Sequence, residues 1–196
     1  RDLLDACRAG QFFHLLCPAL GGEAPYLRRP MSIYGFWPEK GELHFLYKVT
    51  GEGTRALSQL EAGDTLNVLG PLGQGFTIAD DWNHLVLVAR GVGLATLAPL
   101  ALEAQRLGRS LTAICSARSP DVLMSVEYFE ALGAKVITVT DTDGTSSVAN
   151  IERVIEKLIA AEGVDAFYTC GSNRLLRLLQ ALGERHGIPG EIALEQ

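Results

Sequence analysis

The chain has 196 residues, of which 47% are hydrophobic and 20% charged, with 21 glycines and 8 prolines. That is enough for one large or two small cored domains, and it excludes a disordered tail, a collagen-like repeat and a disulfide-stapled miniprotein. Lys and Arg number 17 against 23 Asp and Glu, a net charge of −6 with no long basic run, which argues against a nucleic-acid partner. The longest apolar run, Leu85 to Ala89, is too short to span a membrane. Cys7, Cys17, Cys115 and Cys170 stand singly, without the close pairing that clamps zinc or an iron–sulfur cluster. They read as reduced, mostly buried thiols of a cytoplasmic protein, with one long-range disulfide as the competing reading. The chain begins at Arg1 rather than Met and is read as clipped at its front end, a removed targeting segment being left open.

In chain order, Phe12 to Leu16, Met31 to Tyr34, Leu43 to Val49 and Thr65 to Leu69 are strand-length runs. Gly21-Gly22 and Gly70-Pro71-Leu72-Gly73 are among the clusters that part them. Short strands punctuated by glycine turns predict a compact antiparallel barrel. The rhythm changes after Asp81. Leu85 to Ala89, Leu111 to Cys115, Val136 to Val139 and Ala166 to Thr169 are the continuous apolar runs of buried parallel strands. Thr96 to Leu107 predicts a helix with Pro99 in its first turn. Ile151, Val154, Ile155, Leu158 and Ile159 mark one face of a second helix, and Leu175, Leu178, Leu179 and Leu182 one face of a third. This alternation predicts a Rossmann-like, doubly wound parallel sheet. The fold class is therefore a β barrel over residues 1–80 and an α/β domain over residues 81–196, joined near Ala79 to Asn83.

Gly91-Val92-Gly93 follows the first parallel strand and opens a helix. Glycines there let backbone N–H groups approach a phosphate at the helix's positive end. The third glycine of the dinucleotide fingerprint is replaced by Thr96, so a phosphate loop and a plain tight turn are equally good readings of these residues alone. Cys170-Gly171 ends the last strand of the set and points to the same crevice. A small buried hydrophobe before a turn is the commoner fate of such a cysteine. In the first half, Arg28-Arg29-Pro30-Met31-Ser32 places two guanidiniums, which suit diphosphate oxygens, ahead of a proline-stiffened strand. Gly51-Glu52-Gly53-Thr54 opens a further helix. Solvated arginines and turn glycines are the competing reading of each feature.

In order, Gly10-Gln11-Phe12, Arg29-Pro30-Met31-Ser32-Ile33, Tyr47-Lys48 with Gly51-Glu52-Gly53-Thr54, and Gly70-Pro71-Leu72-Gly73-Gln74-Gly75-Phe76 resemble the ferredoxin–NADP reductase superfamily. Within it they are most similar to the electron-transfer subunits of two-subunit dihydroorotate dehydrogenases. Gly91-Val92-Gly93 with Ala98-Pro99-Leu100, and Tyr168-Thr169-Cys170-Gly171, carry the resemblance over nearly the whole chain. The resemblance implies FAD on the barrel and a nicotinamide nucleotide, NAD(H) or NADP(H), on the α/β domain. By motif match, Arg29, Pro30, Met31 and Ser32 line the flavin and its diphosphate. Leu46, Tyr47 and Lys48 form the opposite wall, Gly53 and Thr54 cap the diphosphate, and Gly91, Gly93, Cys170 and Gly171 border the nicotinamide. Ser32 and Cys170 fall in the catalytic positions.

The implied reaction is hydride exchange between nicotinamide and flavin, with electrons passing singly to or from a redox partner. The preferred partner is a catalytic dihydroorotate dehydrogenase subunit. A ferredoxin, hydrogenase or transhydrogenase system is the second reading, and a nucleotide-binding regulatory module without flavin chemistry the third. Arg118 stands where a 2′-phosphate would be met, but Asp121 beside it would repel one, so NADH is the expected coenzyme. Three departures stand out. Arg90 occupies a position often held by glycine in the resembled proteins. Residues Asp141 to Ser147 lack the expected glycine-rich continuation. The resembled subunits also carry a 2Fe–2S cysteine cluster just past the stretch matching Gly187 to Gln196, so that cluster is expected in a longer native chain.

Overall fold

The computed structural model describes residues 2–19 and 25–194. The Gly21-Gly22 turn and the terminal Glu195-Gln196 lie outside the described residues. The first half forms a four-stranded antiparallel sheet in the order β3-β2-β1-β4. Its strands are β1 (Phe12–Leu15), β2 (Arg29–Trp37), β3 (Glu42–Phe45) and β4 (Val68–Leu72). The central pair is registered Phe12↔Ser32 through Leu15↔Arg29. Two short helices, α1 (Asp2–Asp5) and α2 (Glu52–Leu57), accompany the sheet. Leu4, Phe13, Leu15, Cys17, Ile33, Ala56 and Leu57 form its core.

Three strands depart from the expected limits, β2 by running from Arg29 to Trp37 instead of from Met31 to Tyr34. Pairing of β3 with β2 ends at Ile33↔Phe45, so Leu46, Tyr47 and Lys48 leave the ladder instead of ending a strand. Gly70 and Pro71, expected in a turn, lie inside β4. An edge strand tolerates a proline because one side of its backbone needs no sheet partner, and β4 is an edge. Gly70 fits because it lies flat against Phe13, whose ring atoms would be 2.5–2.9 Å from a Cβ there.

The second half is a five-stranded parallel sheet in the order β7-β6-β5-β8-β9. Its strands are β5 (His84–Arg90), β6 (Ser110–Ala117), β7 (Lys135–Thr140), β8 (Ala166–Cys170) and β9 (Gly190–Ala193). β5 lies at the centre, flanked by β6 and β8 in registers Ala89↔Cys115 and Ala89↔Cys170. Both of its faces are buried, which is why Leu85 to Ala89 reads as an unbroken apolar run. Helix α3 (Gly93–Arg106) and helix α4 (Val126–Ala131) cover one face, through Leu94, Leu97, Leu100 and Phe129. Helix α5 (Val148–Glu162) and helix α6 (Asn173–His186) cover the other, through Ile151, Ile155, Leu175 and Leu179. Helix α3 starts at Gly93, so Pro99 lies inside it and not in its first turn. Its missing N–H withdraws the partner that the Ala95 carbonyl would have in a regular helix. The sequence reading did not include β9, a four-residue strand that follows Pro189.

The two sheets are joined by contacts from residues distant in sequence. Helix α3 packs along β2, and the Tyr34 ring meets that of Tyr128 with centroids 5.5 Å apart. Between β4 and β5, the Phe76 ring sits edge-on to Tyr168 at 5.5 Å. The Tyr168 hydroxyl donates to the Thr77 carbonyl at 2.5 Å, and the Thr77 N–H donates to the Glu191 carboxylate at 3.0 Å. Tyr168→Phe keeps the ring contact but removes this donor, so stability should fall by about 1–2 kcal/mol. Urea denaturation of both proteins, with matched slopes, checks this.

Candidate functional site

Parallel sheets bind ligands beyond the carboxyl ends of their strands, where the chain order reverses. Here that point lies between β5 and its neighbours β6 and β8. Gly91 leaves β5 with φ 56°, and its N–H donates to the Ser116 carbonyl at 3.0 Å. Gly93, the first residue of α3, is pressed against the end of β8: a Cβ there would lie 2.7 Å from the Cys170 carbonyl oxygen. Gly171 turns away from β8 at φ 82°, and its Cβ position lies 3.8 Å from the Gly93 Cα. Gly91, Gly93, Cys170 and Gly171 thus share one edge of the sheet, and Gly93 meets Cys170 and Gly171 directly. Cys170 is fully buried there, and its thiol donates to the Thr96 hydroxyl at 3.4 Å. Cys115 is also buried, and burial pushes its thiol up to about 12.

Two of the three departures from the resembled pattern meet in space. Arg90, the last residue of β5, donates two hydrogen bonds to the Asp141 carboxylate, at 3.1 and 2.6 Å. It also donates to the Ser116 hydroxyl and the Ala117 carbonyl, each at 3.2 Å. Its guanidinium therefore spans the ends of β5, β6 and β7. Asp141 further accepts a short bond from the Ser146 hydroxyl, and Arg174 of α6 lies 3.7 Å away. Hydrogen bonds from Arg90 and Ser146, with the nearby charges of Arg90 and Arg174, hold its carboxyl down to about 2.

A second cluster lies on the first sheet. Arg29 opens β2 and donates to the Leu27 carbonyl at 2.5 Å. Its guanidinium crosses the start of α2, where a Cβ on Gly53 would lie 2.7 Å from Arg29 Nε and 3.0 Å from Cys17 Sγ. Tyr47 is half-buried and senses Cys17, and burial raises its hydroxyl above the usual range. The Thr54 hydroxyl accepts from the N–H groups of Thr50 and Gly51 and donates to the Gly51 carbonyl. It holds the start of α2 together.

Strand alternation separates the β2 residues. Arg29 and Met31 share the face of buried Ile33, while Pro30 and Ser32 share the face of Tyr34. Of the opposite wall, Leu46 and Tyr47 are half-buried and Lys48 is exposed. Arg28, paired with Arg29 in the sequence reading as a second diphosphate donor, is committed elsewhere. It donates to the Asn67 side chain at 2.8 Å and to the carbonyls of His14 and Asn67 at 3.3 Å, stitching β1 to the segment before β4. The sequence marks Thr96 only as the residue in place of the third fingerprint glycine and as a helix start, and it marks Arg174 not at all. Thr96 lies one turn into α3, buried against Cys170, and Arg174 lies in the first turn of α6, beside Asp141.

No protein-family model matches the chain, but individual proteins do. The electron transfer subunit of dihydroorotate dehydrogenase B (NAD(+)) from Desulforamulus reducens is 31% identical over 197 residues, covering 100% of this chain and 74% of the relative. The corresponding subunit from Caldanaerobacter subterraneus subsp. tengcongensis is 35% identical over 189 residues, covering 95% and 70%. The chain belongs to this family of electron transfer subunits. Among solved structures, an NADH-dependent reduced ferredoxin–NADP oxidoreductase superposes with a TM-score of 0.78 at 26% identity, over 99% of this chain and 68% of that one. Ferredoxin–NADP+ reductase from Plasmodium falciparum shares the fold alone, with a TM-score of 0.67 at 14% identity over 95% of this chain and 83% of that one. The antiparallel sheet followed by a parallel α/β sheet is thus the ferredoxin–NADP reductase-like arrangement.

The low Asp141 carboxyl makes a prediction about acid. Its folded value lies below the ordinary 3.8, so it contributes stability above that value, which is lost as pH falls toward about 2. In Arg90→Ala the largest cause is gone, and the Asp141 midpoint should rise toward 3.8. A carboxyl-carbon NMR titration of both proteins measures this directly, and an unmoved midpoint would contradict it.

Proposed function

We propose that this protein is a flavoprotein electron-transfer subunit that exchanges electrons between a nicotinamide nucleotide and a catalytic dihydroorotate dehydrogenase subunit. The observation that carries the reading is the convergence of Arg29, Gly53 and Tyr47 on one side of the first sheet, within a chain belonging to this subunit family. These residues come from three separate segments, and they suit a diphosphate. Arg29 spends one N–H on Leu27 and keeps further donors for phosphate oxygens, and Gly53 gives room for its guanidinium over α2. In this reading residues 1–80 hold FAD, through Arg29, Pro30, Met31 and Ser32 on one side and Leu46, Tyr47 and Lys48 on the other. Gly53 and the backbone of Thr54 close the diphosphate end. Residues 81–196 hold the nucleotide, with Gly91, Gly93, Cys170 and Gly171 bordering the nicotinamide.

FAD, when bound, takes up a pair of electrons as hydride and gives them up singly. The chain's own residues bind and orient. Ser32 and Cys170 are the proposed catalytic residues, Ser32 offering a hydroxyl from β2 and Cys170 a thiol that lies buried against Thr96 at the end of β8. Burial keeps the Tyr47 hydroxyl protonated and available as a donor. The coenzyme is proposed to be NADH. Arg118 is exposed at the end of β6, but near it Asp121 stays ionised, its carboxyl lowered by a hydrogen bond from Ser119. Among the described residues no helix is long and apolar enough to cross a membrane, and a cytoplasmic location is proposed. A ferredoxin-linked partner is the second reading, supported by the likeness to the NADH-dependent ferredoxin–NADP oxidoreductase.

Purified protein should show a flavin absorption spectrum and release FAD, not FMN, on extraction. Arg29→Ala should weaken FAD binding roughly ten- to hundredfold, the worth of a charge-assisted contact. Full-length protein that neither holds nor takes up FAD would leave the nucleotide-binding module as the remaining reading. In stopped-flow mixing, NADH should reduce the bound flavin faster and at lower concentration than NADPH, and the reverse order would overturn the coenzyme assignment.

We also propose that the native subunit works with a 2Fe–2S centre. Among the described residues no cluster of three or more His, Cys, Asp or Glu side chains is placed to hold a metal, so its ligands would come from outside them. Iron and sulfide analysis of the native protein, purified without oxygen, should find two of each per FAD.

A further inference from the structure

Asp141 sits between two guanidiniums. Arg90 grips it in bidentate fashion from the end of β5, and Arg174 approaches to 3.7 Å from the first turn of α6. One carboxylate against two cations leaves an uncompensated positive charge, in a chain whose net charge is −6. The carboxylate is locked, because Ser146 donates to it as well. Arg90 is locked by Ser116 and Ala117. Arg174 has no side-chain hydrogen bond among the described residues, and its side chain is 42% exposed.

Arg174 is also at the wrong end of its helix. A cation in the first turn opposes the helix dipole, which favours acids there. Helix α6 has no acid in that turn, and Ser172 makes no side-chain capping bond. By contrast, Ser147 caps α5 by accepting from the Asn150 N–H. The contacts to Asp141 are themselves favourable, but they leave one positive charge unmatched and Arg174 against the helix dipole, and a multiply charged anion lying across both guanidiniums would offset both. The place is the carboxyl edge of the parallel sheet, beside Gly91 and Gly171.

We propose that Arg90 and Arg174, set side by side by the Asp141 carboxylate, recognise the diphosphate of the dinucleotide, with Asp141 as their positioning residue. This rests on the reading of the second sheet as the nicotinamide nucleotide site. A diphosphate spans two guanidiniums, whereas a single phosphate group is matched by one. The arrangement therefore selects a dinucleotide over a mononucleotide.

The test is calorimetric titration of the full-length protein, as purified, with ADP-ribose and with AMP. Arg90→Ala and Arg174→Ala should each weaken ADP-ribose on the order of tenfold and AMP by clearly less. Arg185→Ala removes the same charge from the far end of α6, where Arg185 pairs with Glu152 and Glu156, and should leave ADP-ribose binding unchanged. Among the described residues Arg174 makes only the one ion pair, so its variant remains informative if Arg90→Ala folds poorly. Asp141→Asn decides the positioning role. Removing a negative charge would tighten an anion held by charge alone, whereas loss of positioning weakens ADP-ribose. Tighter binding by Asp141→Asn overturns that role. Unchanged binding by the Arg90 and Arg174 variants, or equal losses for AMP, overturns the diphosphate assignment and leaves the coenzyme reading standing. A wild-type protein that takes up no ADP-ribose would instead sink the coenzyme reading, and this inference with it.

Discussion

The close approach of two backbones at the carboxyl ends of β5 and β8 is the constraint on which the second half of the molecule depends. Gly93 lies so near the Cys170 carbonyl that a Cβ would sit 2.7 Å from it. Backbone cannot yield as a flexible side chain can, so the contact requires glycine. Because α3 can start there, its apolar face lands on the sheet through Leu94, Leu97 and Leu100. The same start sets its positive end beside the Gly171 turn, and α6 opens from that turn. The fold and the candidate coenzyme edge are therefore one geometric solution.

A second dependence runs between the sheets. The segment after β4 is held to β8 and β9 by Phe76, by the Tyr168 hydroxyl and by the Glu191 carboxylate. On the other side, Tyr34 of β2 meets Tyr128 of α4. These contacts join chain segments more than 90 positions apart, since Tyr168 reaches Thr77 across a separation of 91. Because β2 carries Arg29 to Ser32 and also packs beside α3, the position of the first cluster relative to the second is set by packing of ordinary hydrophobic and tyrosine side chains.

Much of this architecture was legible in the sequence where local pattern suffices. The parallel strands appear as continuous apolar runs because both faces are covered, and the amphipathic stripes of α5 and α6 are the faces that cover them. Legibility failed where the deciding partner is remote. Gly70-Pro71 reads as a turn from its local chemistry, yet it lies in β4 because that strand is an edge and Phe13 offers a flat surface. Pro99 reads as a first-turn proline only if α3 starts at Thr96. The approach to Cys170 lets the helix begin three residues earlier. Strand β9 is short and alternates, and only its pairing with β8 makes it a strand.

The candidate residues divide in the same way. By itself the sequence determined the fold class, the order of the two sheets, and the motif segments 29–32, 46–48, 53–54, 91–93 and 170–171. Residue type, spacing and apolar period carry that information. Tertiary structure alone decided that Arg28 would serve the sheet while Arg29 crosses Gly53, and that Thr96 would receive the Cys170 thiol. It also decided that Arg90 and Asp141, two apparent departures from pattern 51 residues apart, would be partners. Hydrogen bonds and ion pairs act over a few ångströms in space, and sequence separation says nothing of such distances until the strands are registered and their ends brought to one edge.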